Sequence, residues 1–238
     1  MKNFIVMSAA LILAVGFAEA KPRYDLEPDT VLFGIVPHQS HFYKDVVLKS
    51  VGDAPLRIDS IPTLGRYIRM PLSKKLLAPG DSVVIPLFYD SEYFVGERDR
   101  FPHIYTNAGR AAILAILSSS LDSIENLRPI YVKPYRIAAS QFGDKMAKEF
   151  TFQIINNSSE NVPLRLLYWD DEYYKIDFPA FVPPRDSAKG ILTLNEKGIK
   201  TEFEKSITFE FITDLSERKF YSIPIARKIF KSQQQAPK

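Results

Sequence analysis

The chain contains the same series of short sequence landmarks twice, and this repeat limits its possible folds more than any other feature. Four landmarks recur in the same order, at separations of 105 to 109 residues. The pairs are Phe33-Gly34 with Phe142-Gly143, Ala54–Ile58 with Val162–Leu166, Ala78–Ser82 with Pro183–Ser187, and Ile104–Asn107 with Phe211–Asp214. Four landmarks in order at nearly one separation predict a duplicated domain of about 100 residues.

The segments between the landmarks alternate between apolar and polar residues, which is typical of strands with one buried face. The alternating apolar positions are Phe42, Val46 and Leu48, then Phe150, Phe152 and Ile154, then Ile207, Phe209 and Phe211. The 17 prolines and the many Gly, Asp and Asn turns favour short strands over helices. The sequence therefore predicts an all-β chain of two tandem immunoglobulin-like (Ig-like) β-sandwiches.

The segment SVGDAPLRI, residues 50–58, illustrates how one strand is expected to end and the next to begin. Gly52 is expected to adopt a positive φ, and the carboxylate of Asp53 to accept a bond from the turn backbone. Pro55 suits a strand start, because it has no N–H to donate. Leu56 is expected to face the core and Arg57 the solvent, and the second copy repeats this pattern at residues 162–166.

The two ends of the chain have the composition of a leader and a tail. Residues 1–20 combine an early lysine, an apolar run and the triplet Ala18-Glu19-Ala20, which predicts a secretory signal peptide cleaved after Ala20. The polar segment 118–129 predicts a linker between compact units. We assign 24–121 and 129–232 to the two sandwiches, 122–128 to the linker and 233–238 to a disordered tail, and we expect each sandwich to fold alone.

Cysteine is absent and the net charge is only +3, and both facts exclude classes of protein. Without cysteine the chain has neither disulfides nor a lipid-bearing cysteine after the signal. A mild positive excess without basic runs argues against nucleic-acid binding. No later segment is long and apolar enough to span a bilayer. The predicted location is therefore the periplasm, the cell surface or the medium.

The landmark series resembles the Ig-like domain of a family of bacterial exported proteins of unknown function. In that family Phe-Gly opens the domain, Gly-Asp-x-Pro-Leu follows the second strand, Pro-Gly-x-Ser comes later and Thr-Asn closes a final hairpin. The resemblance covers about 31–117 well and 137–227 in degraded form, and it implies fold and secretion but no activity. Those domains often carry Cys-Gly-Cys where this chain reads Leu64-Gly65-Arg66. Ig-like folds of periplasmic pilus chaperones and sperm major protein are related more distantly.

Motifs for enzymatic chemistry and for metal binding are sparse. The sequence contains no G-x-S-x-G, no phosphate-binding glycine loop and no H-E-x-x-H. His38 and His41 form an H-x-x-H whose members point to opposite faces of a strand, and His103 is a conceivable third ligand only if a turn brings them together. We therefore expect no enzyme, cofactor or metal site, although a hydrolase without recognisable motifs stays open.

The most distinctive surface candidate is the segment LYWDDEYYKIDF, residues 167–178, here called the aromatic–acidic segment. It holds the chain's only tryptophan, and Trp169, Tyr173 and Tyr174 are candidate partner-binding residues. The alternative is that these rings cover the end of the second core while the acids stay in solvent. Three consecutive carboxylates from Asp170 lack the spacing of a calcium loop.

A basic segment near the boundary between the sandwiches supplies a second set of candidates. Arg128, Lys133 and Arg136 lie in RPIYVKPYR, where they could meet a partner's carboxylate. The preferred hypothesis is an exported, non-enzymatic structural or protein-binding module. The alternative is a periplasmic pilus-type assembly chaperone. Against it, the segment AAILAIL at 111–117 is short and rich in alanine, whereas a donor edge strand is expected to be long and alternating.

Overall fold

The computed structural model describes residues 19–63, 65–109, 111–121, 129–143, 146–212 and 217–230, and these are almost all strands and turns. The predicted linker 122–128 and tail 233–238 lie outside the described residues, as does the signal peptide up to residue 18. Those assignments stay predictions. Within the described ranges, no helix has the length and apolar character needed to cross a membrane.

The first half of the chain folds into two facing sheets. One sheet has the order β1-β3-β7-β5, and the other has the order β10-β9-β4-β6. The long antiparallel pair β3–β7 runs in register from His41↔Asp90 to Lys49↔Ser82. The described strands are β1 Tyr24–Glu27, β2 Thr30–Pro37, β3 His41–Ser50, β4 Leu56–Ser60, β5 Ile68–Arg69, β6 Leu76–Leu77, β7 Ser82–Asp90, β8 Gly96–Glu97, β9 His103–Thr106, β10 Ala112–Ile113 and β11 Ala115–Leu121.

The second half repeats this plan with longer strands on one side. One sheet has the order β12-β15-β19-β17, and it faces a sheet built around the hairpin β20–β21. Its elements are β12 Ile130–Lys133, β13 Ile137–Ala138, β14 Gln141–Phe142, β15 Glu149–Asn156, β16 Val162–Tyr168, β17 Tyr174–Asp177, β18 Phe181–Val182, β19 Ser187–Leu194, α1 Glu196–Lys200, β20 Phe203–Ile212, β21 Arg218–Arg227 and β22 Ile229–Phe230.

Each half has its own hydrophobic core. The buried residues of the first core lie between Val31 and Ile116, and those of the second lie between Ile130 and Ile225. The alternating positions of β3, β15 and β20 face these cores as predicted, except that Phe150 is only partly buried. The chain is therefore an all-β protein of two tandem Ig-like sandwiches, in agreement with the sequence.

The two halves share one continuous sheet, which the sequence did not predict. Its strand order is β18-β16-β20-β21-β2-β11-β8, so β2 has β11 of the first half on one side and β21 of the second half on the other. The β2–β21 pair is parallel, with Ile35 opposite Tyr221, and the hydroxyl of Ser222 donates to the carbonyl oxygen of Phe33 at 2.7 Å. Ile35 and Leu121 also pack against the second core. Independent folding of the halves stays a prediction, and separating them exposes these contacts.

The first landmark, Phe33-Gly34, lies where this shared sheet is formed. The register of β2 against β11 shifts at this point, which marks a bulge. Gly34 has a φ of +63°, and a Cβ added there would lie 2.3 Å from the carbonyl oxygen of Phe220. Glycine is therefore required both for the backbone conformation and for the close approach of the second half.

The turn at residues 51–55 corrects one expectation about glycine. Gly52 does not adopt a positive φ; it is needed because a Cβ would lie 2.3 Å from the carbonyl oxygen of Lys21. The carboxylate of Asp53 accepts a bond from the Lys21 backbone N–H at 2.6 Å. Leu56 is fully buried and Arg57 is exposed, as the alternation predicted.

The polar segment 118–129 is not a linker over its whole length. Ser118, Ser119 and Ser120 belong to β11, and Ser118 and Ser120 are buried. The hydroxyl of Ser118 lies 2.7 Å from that of Tyr89 and donates to a backbone carbonyl at 3.1 Å. Strand pairing and these bonds outweigh the weak strand preference of serine, so residues 118–121 belong to the strand although their composition is that of a linker.

Candidate functional site

The aromatic–acidic segment lies at the junction of the two halves. It leaves β16, turns at 171–173 and continues into β17. The Nζ of Lys44, on β3 of the first half, lies 3.1 Å from the ring centroid of Tyr168. The segment therefore contacts the other half of the chain, a role that neither sequence interpretation included.

Tyr174 is a core residue, which corrects its assignment to a partner-binding surface. Its side chain is fully buried in the second core, and its hydroxyl donates to the carbonyl oxygen of Ser206 at 3.0 Å. Burial raises the pKa of this phenol well above its usual range. The ring is the first inward position of β17, so it faces the core and offers no surface to a partner.

Tyr173 is half-buried and covers the end of the second core, as the alternative interpretation predicted. Its ring centroid lies 5.0 Å from that of Phe203, at an interplanar angle of 62°. Two lysines also approach this ring, with the Nζ of Lys197 at 4.4 Å and that of Lys205 at 4.8 Å. Such cation–π contacts fix the ring in place.

Lys205 carries a buried charge at the contact between the halves. Its side chain is 7% exposed, and its Nζ lies 2.7 Å from the carboxylate of Asp170, whose side chain is 13% exposed. The same Nζ lies 3.6 Å from the ring centroid of Tyr43 on β3. A buried cation needs such partners, because an unpaired charge is costly to remove from water. Asp170 is thus engaged in an ion pair within the second half, and the paired lysine contacts Tyr43 of the first half.

Lys44 is the second cation at this contact, and its titration is perturbed. Burial lowers the pKa of Lys44 to about 8, although the carboxylates of Asp45 and Asp170 oppose this shift. Burial also raises the pKa of Tyr168 and of Tyr43, and the bond from the Tyr43 hydroxyl to Asp45 adds to the effect on Tyr43. Burial at this contact therefore disfavours the charged form of any side chain that has no ion-pair partner.

This perturbation predicts a pH dependence of stability. Between pH 8 and the ordinary lysine pKa of about 10.4, the unfolded chain keeps the Lys44 proton while the folded chain loses it, so the burial cost of the charge disappears as pH rises. We expect the free energy of unfolding of Lys44→Met to exceed that of the wild type. This difference should be largest at pH 7 and should shrink towards pH 9.5. Urea titrations across this range measure it.

The exposed Lys49, also on β3, supplies the control for this prediction. The variant Lys49→Met should differ from the wild type by the same small amount at every pH tested. A difference between Lys44→Met and the wild type that stays constant from pH 7 to pH 9.5 would contradict the prediction.

Trp169 and Leu167 are the exposed apolar members of the aromatic–acidic segment. Trp169 is 40% exposed and Leu167 is 38% exposed. The register of β16 against β20 shifts between Leu166 and Tyr168, so Leu167 occupies a bulge. A bulge re-aims a side chain away from its strand's regular alternation. Both residues thus lie near the border of the shared sheet that β16 and β18 form.

The basic segment divides among three environments. Arg128 lies outside the described residues. Lys133 is exposed at the end of β12, with its Nζ 5.5 Å from the ring centroid of Tyr131. Arg136 donates from Nη2 to the carbonyl oxygen of His38 at 2.5 Å and thus links the two halves. The structure does not place Lys133 and Arg136 together with Trp169 in one site.

A cleft of about 180 Å³ separates the loop before β3 from β13 and β21. Its lining includes Gln39 and His41 from the first half and Arg136, Glu204 and Pro224 from the second. Pro224 lies on β21 between Tyr221, which pairs with β2, and Ile225, which pairs with β13. On this side of β21 its missing N–H therefore breaks no ladder. The cleft carries one cation and one carboxylate of the second half, so it has no strong preference for either sign.

The three histidines do not come together. Nδ1 of His38 lies 3.1 Å from the carbonyl oxygen of Leu121, and Nδ1 of His41 lies 3.6 Å from the carboxylate of Asp90. His103 stacks on Tyr105 in a different sheet. Over the part of the chain that the structure describes, no three His, Cys, Asp or Glu side chains form a group that could hold a metal ion.

Comparisons with known proteins identify similar folds only. No protein-family model matches this chain, and no curated protein does. A protein of unknown function from Porphyromonas gingivalis is similar in structure, with 11% identity and a TM-score of 0.37 over 86% of this chain and 99% of that one. The E. coli chaperone DraB has 10% identity and a TM-score of 0.30 over 84% and 97% of the two chains. A C. elegans member of the MSP family has 14% identity and a TM-score of 0.31 over 44% and 98%.

Sequence reasoning missed the residues that join the halves. These residues carry no motif, and Lys205 lies far along the chain from the adjacent pair Tyr43 and Lys44. The available signal was a lysine at position 205 among the alternating apolar residues of β20, since a charge at a buried position requires a partner.

Proposed function

We propose that this chain is an exported, non-enzymatic module that binds protein partners at the open edge of β16. The supporting observation is the incomplete pairing of this strand. β20 pairs with β16 from Leu164 to Tyr168, whereas β18 covers the opposite side only at Val162 and Pro163, with one further bond to Leu164. Among the described residues no strand pairs with that side at 165–168. An edge of this kind can accept an added strand from another protein.

The side chains at this edge supply the apolar contact that such a partner needs. Leu167 and Trp169 are both exposed, and large aromatic residues often dominate the binding energy of protein interfaces. Trp169 makes no aromatic or hydrogen-bond contact within the described part of the chain. Tyr173 and Lys205 hold the adjacent turn in place, so the tryptophan projects from an ordered base.

Other edges are protected against the same kind of pairing. β7 is paired with β5 only at Tyr89 and Phe88, and Pro86 lies in the part of its edge that β5 leaves open. The edge strands β5, β6, β8 and β10 are each two residues long. Proline and short edge strands are common devices against unwanted strand addition. This contrast favours β16 as the edge used for binding.

Export and the absence of catalysis complete the proposal. The leader-like residues 1–20 support export, and the lack of catalytic motifs supports a binding role. Cross-linking of the intact protein in the cell envelope, followed by quantification of captured proteins, tests the binding role. Trp169→Ala should reduce capture of specific partners about tenfold or more, which corresponds to the loss of an interface anchor.

Phe181→Ala supplies the matched control, because Phe181 is 53% exposed on the neighbouring strand β18. This variant should capture the same partners as the wild type, and both variants should keep the wild-type melting temperature. If Trp169→Ala captures an unchanged set of partners, the edge of β16 is not the binding site. If it instead lowers the melting temperature of the second half, Trp169 seals the core and is not a partner anchor.

A pilus-type assembly chaperone is the second candidate, and Arg136 favours it. This residue lines the cleft between the halves, and its buried Nε has no hydrogen-bond partner in the described part of the chain. Against this candidate, β11 is paired with β2 on one side and bonded to β8, Arg98 and Arg100 on the other. Capture of pilin subunits in the same cross-linking experiment would favour the chaperone.

A further inference from the structure

A groove runs along the shared sheet where the two halves meet. It has a volume of about 530 Å³, within the range of sites that enclose a ligand or a short peptide. Its apolar lining, here called the floor, includes Leu32, Ile35, Leu117, Leu121 and Phe220. Residues of β2, β11 and β21 contribute, so the groove exists only because the halves share a sheet.

Charges of opposite sign border this groove on its two sides. Glu97 and Asp99 lie on the side of β8, and Arg218 and Lys219 lie on the side of β21. Both acids are exposed, and neither carboxylate has an ion-pair partner among the described residues. Arg218 is 70% exposed and lies 3.7 Å from Glu210, and Lys219 is 49% exposed and lies 3.0 Å from the carboxylate of Glu217. Both cations thus remain accessible to a second carboxylate.

The strand order gives the distance between the acidic and basic borders. The order β21-β2-β11-β8 places three strand spacings of about 4.8 Å between them, or about 14 Å. An extended peptide rises about 3.3 Å per residue, so four residues span this distance. A peptide lying across the strands can therefore place one charged side chain at each border and apolar side chains on the floor.

We propose that this groove binds an extended peptide that carries one basic and one acidic residue four positions apart, with apolar residues between them. The basic side chain pairs with Glu97 and Asp99, and the acidic one pairs with Arg218 and Lys219. The apolar residues cover Leu32 and its neighbours on the floor. This surface is separate from the edge of β16 and is occupied independently of it.

Fluorescence anisotropy with short labelled peptides tests the proposal on the full mature chain at low ionic strength. The peptides are Lys-Val-Ala-Val-Glu, its reverse Glu-Val-Ala-Val-Lys, and versions with Lys or Glu at both ends, all with blocked termini. We expect one of the two mixed-charge peptides to bind saturably, and at least about fivefold more tightly than either like-charge peptide, because each like-charge peptide meets one repulsive border.

Reversal of one border gives the decisive comparison. The double variant Glu97→Lys with Asp99→Lys should lose its preference for the mixed-charge peptide and bind the peptide with Glu at both ends best. The control is Glu149→Lys with Asp177→Lys, which makes the same change of net charge at exposed sites on the other sheet of the second half and should bind like the wild type.

Two outcomes would overturn the proposal. One is that none of the peptides binds saturably, and the other is that both double variants keep the wild-type order of affinities. Trp169→Ala should leave peptide binding unchanged, so failure of the groove and failure of the β16 edge are distinguished by separate measurements.

Discussion

The variant Gly34→Ala should uncouple the two halves of the protein and destabilise it by about 3 kcal/mol. An alanine at the positive φ of +63° costs about 1–2 kcal/mol. Its Cβ would also lie 2.3 Å from the carbonyl oxygen of Phe220, an overlap of the kind that overpacking introduces at about 1–3 kcal/mol. Because the clash is with backbone, β2 and β21 must separate to relieve it.

Calorimetry and hydrogen exchange measure this effect. The backbone amides of β2 and of the start of β21 should exchange faster in Gly34→Ala, and thermal unfolding should divide into two transitions. Gly80→Ala is the matched control, because Gly80 has a φ of +86° with no atom within 4 Å of an added Cβ. Gly80→Ala should show only the cost of the positive φ, and the backbone amides of β2 and β21 should exchange at the wild-type rate. Equal effects of the two variants would show that Gly34 is not required for the contact.

Leu56→Ala should destabilise the first half by about 2–5 kcal/mol, as deletion of a core leucine usually does. Leu56 is fully buried in the first core and stands opposite Leu77 of β6. The lost burial of the side chain and the cavity that remains both lower the free energy of unfolding. Differential scanning calorimetry should show the loss as a lower melting temperature.

Leu76→Ala provides the comparison for this deletion. Leu76 is 58% exposed on the same short strand that pairs with the segment around Leu56. Its truncation should change stability by no more than about 0.5 kcal/mol, as is usual for surface positions. An unchanged melting temperature for Leu56→Ala would place that side chain outside the core and contradict the strand register of the repeat.

The candidate site was only partly predictable. The aromatic–acidic segment was selected from composition, and Trp169 is exposed as a binding residue must be. Tyr174, five positions later, is buried, because the strand that follows the turn starts with an inward position. Composition identifies such a segment but does not settle the phase of its alternation, which depends on where the turn ends.

The sequence by itself determined the strands, the turns and the duplication, because these depend on neighbours along the chain. Alternation at every second residue and the residues that open turns act over a few positions. Leu56 and Arg57 accordingly have the burial that their order predicted.

Only the tertiary structure decided how the two halves meet. The hydrogen bond from Ser222 to Phe33 joins residues 189 positions apart. The contact of Lys205 with Tyr43 spans a similar distance along the chain. Backbone N–H and C=O groups are the same in every strand, so any free edge can pair with any other, and side-chain order does not specify which. The choice of β21 as the neighbour of β2 depends on close approach at Gly34 and on burial of Ile35 against the second core, which exist only once both sandwiches have formed.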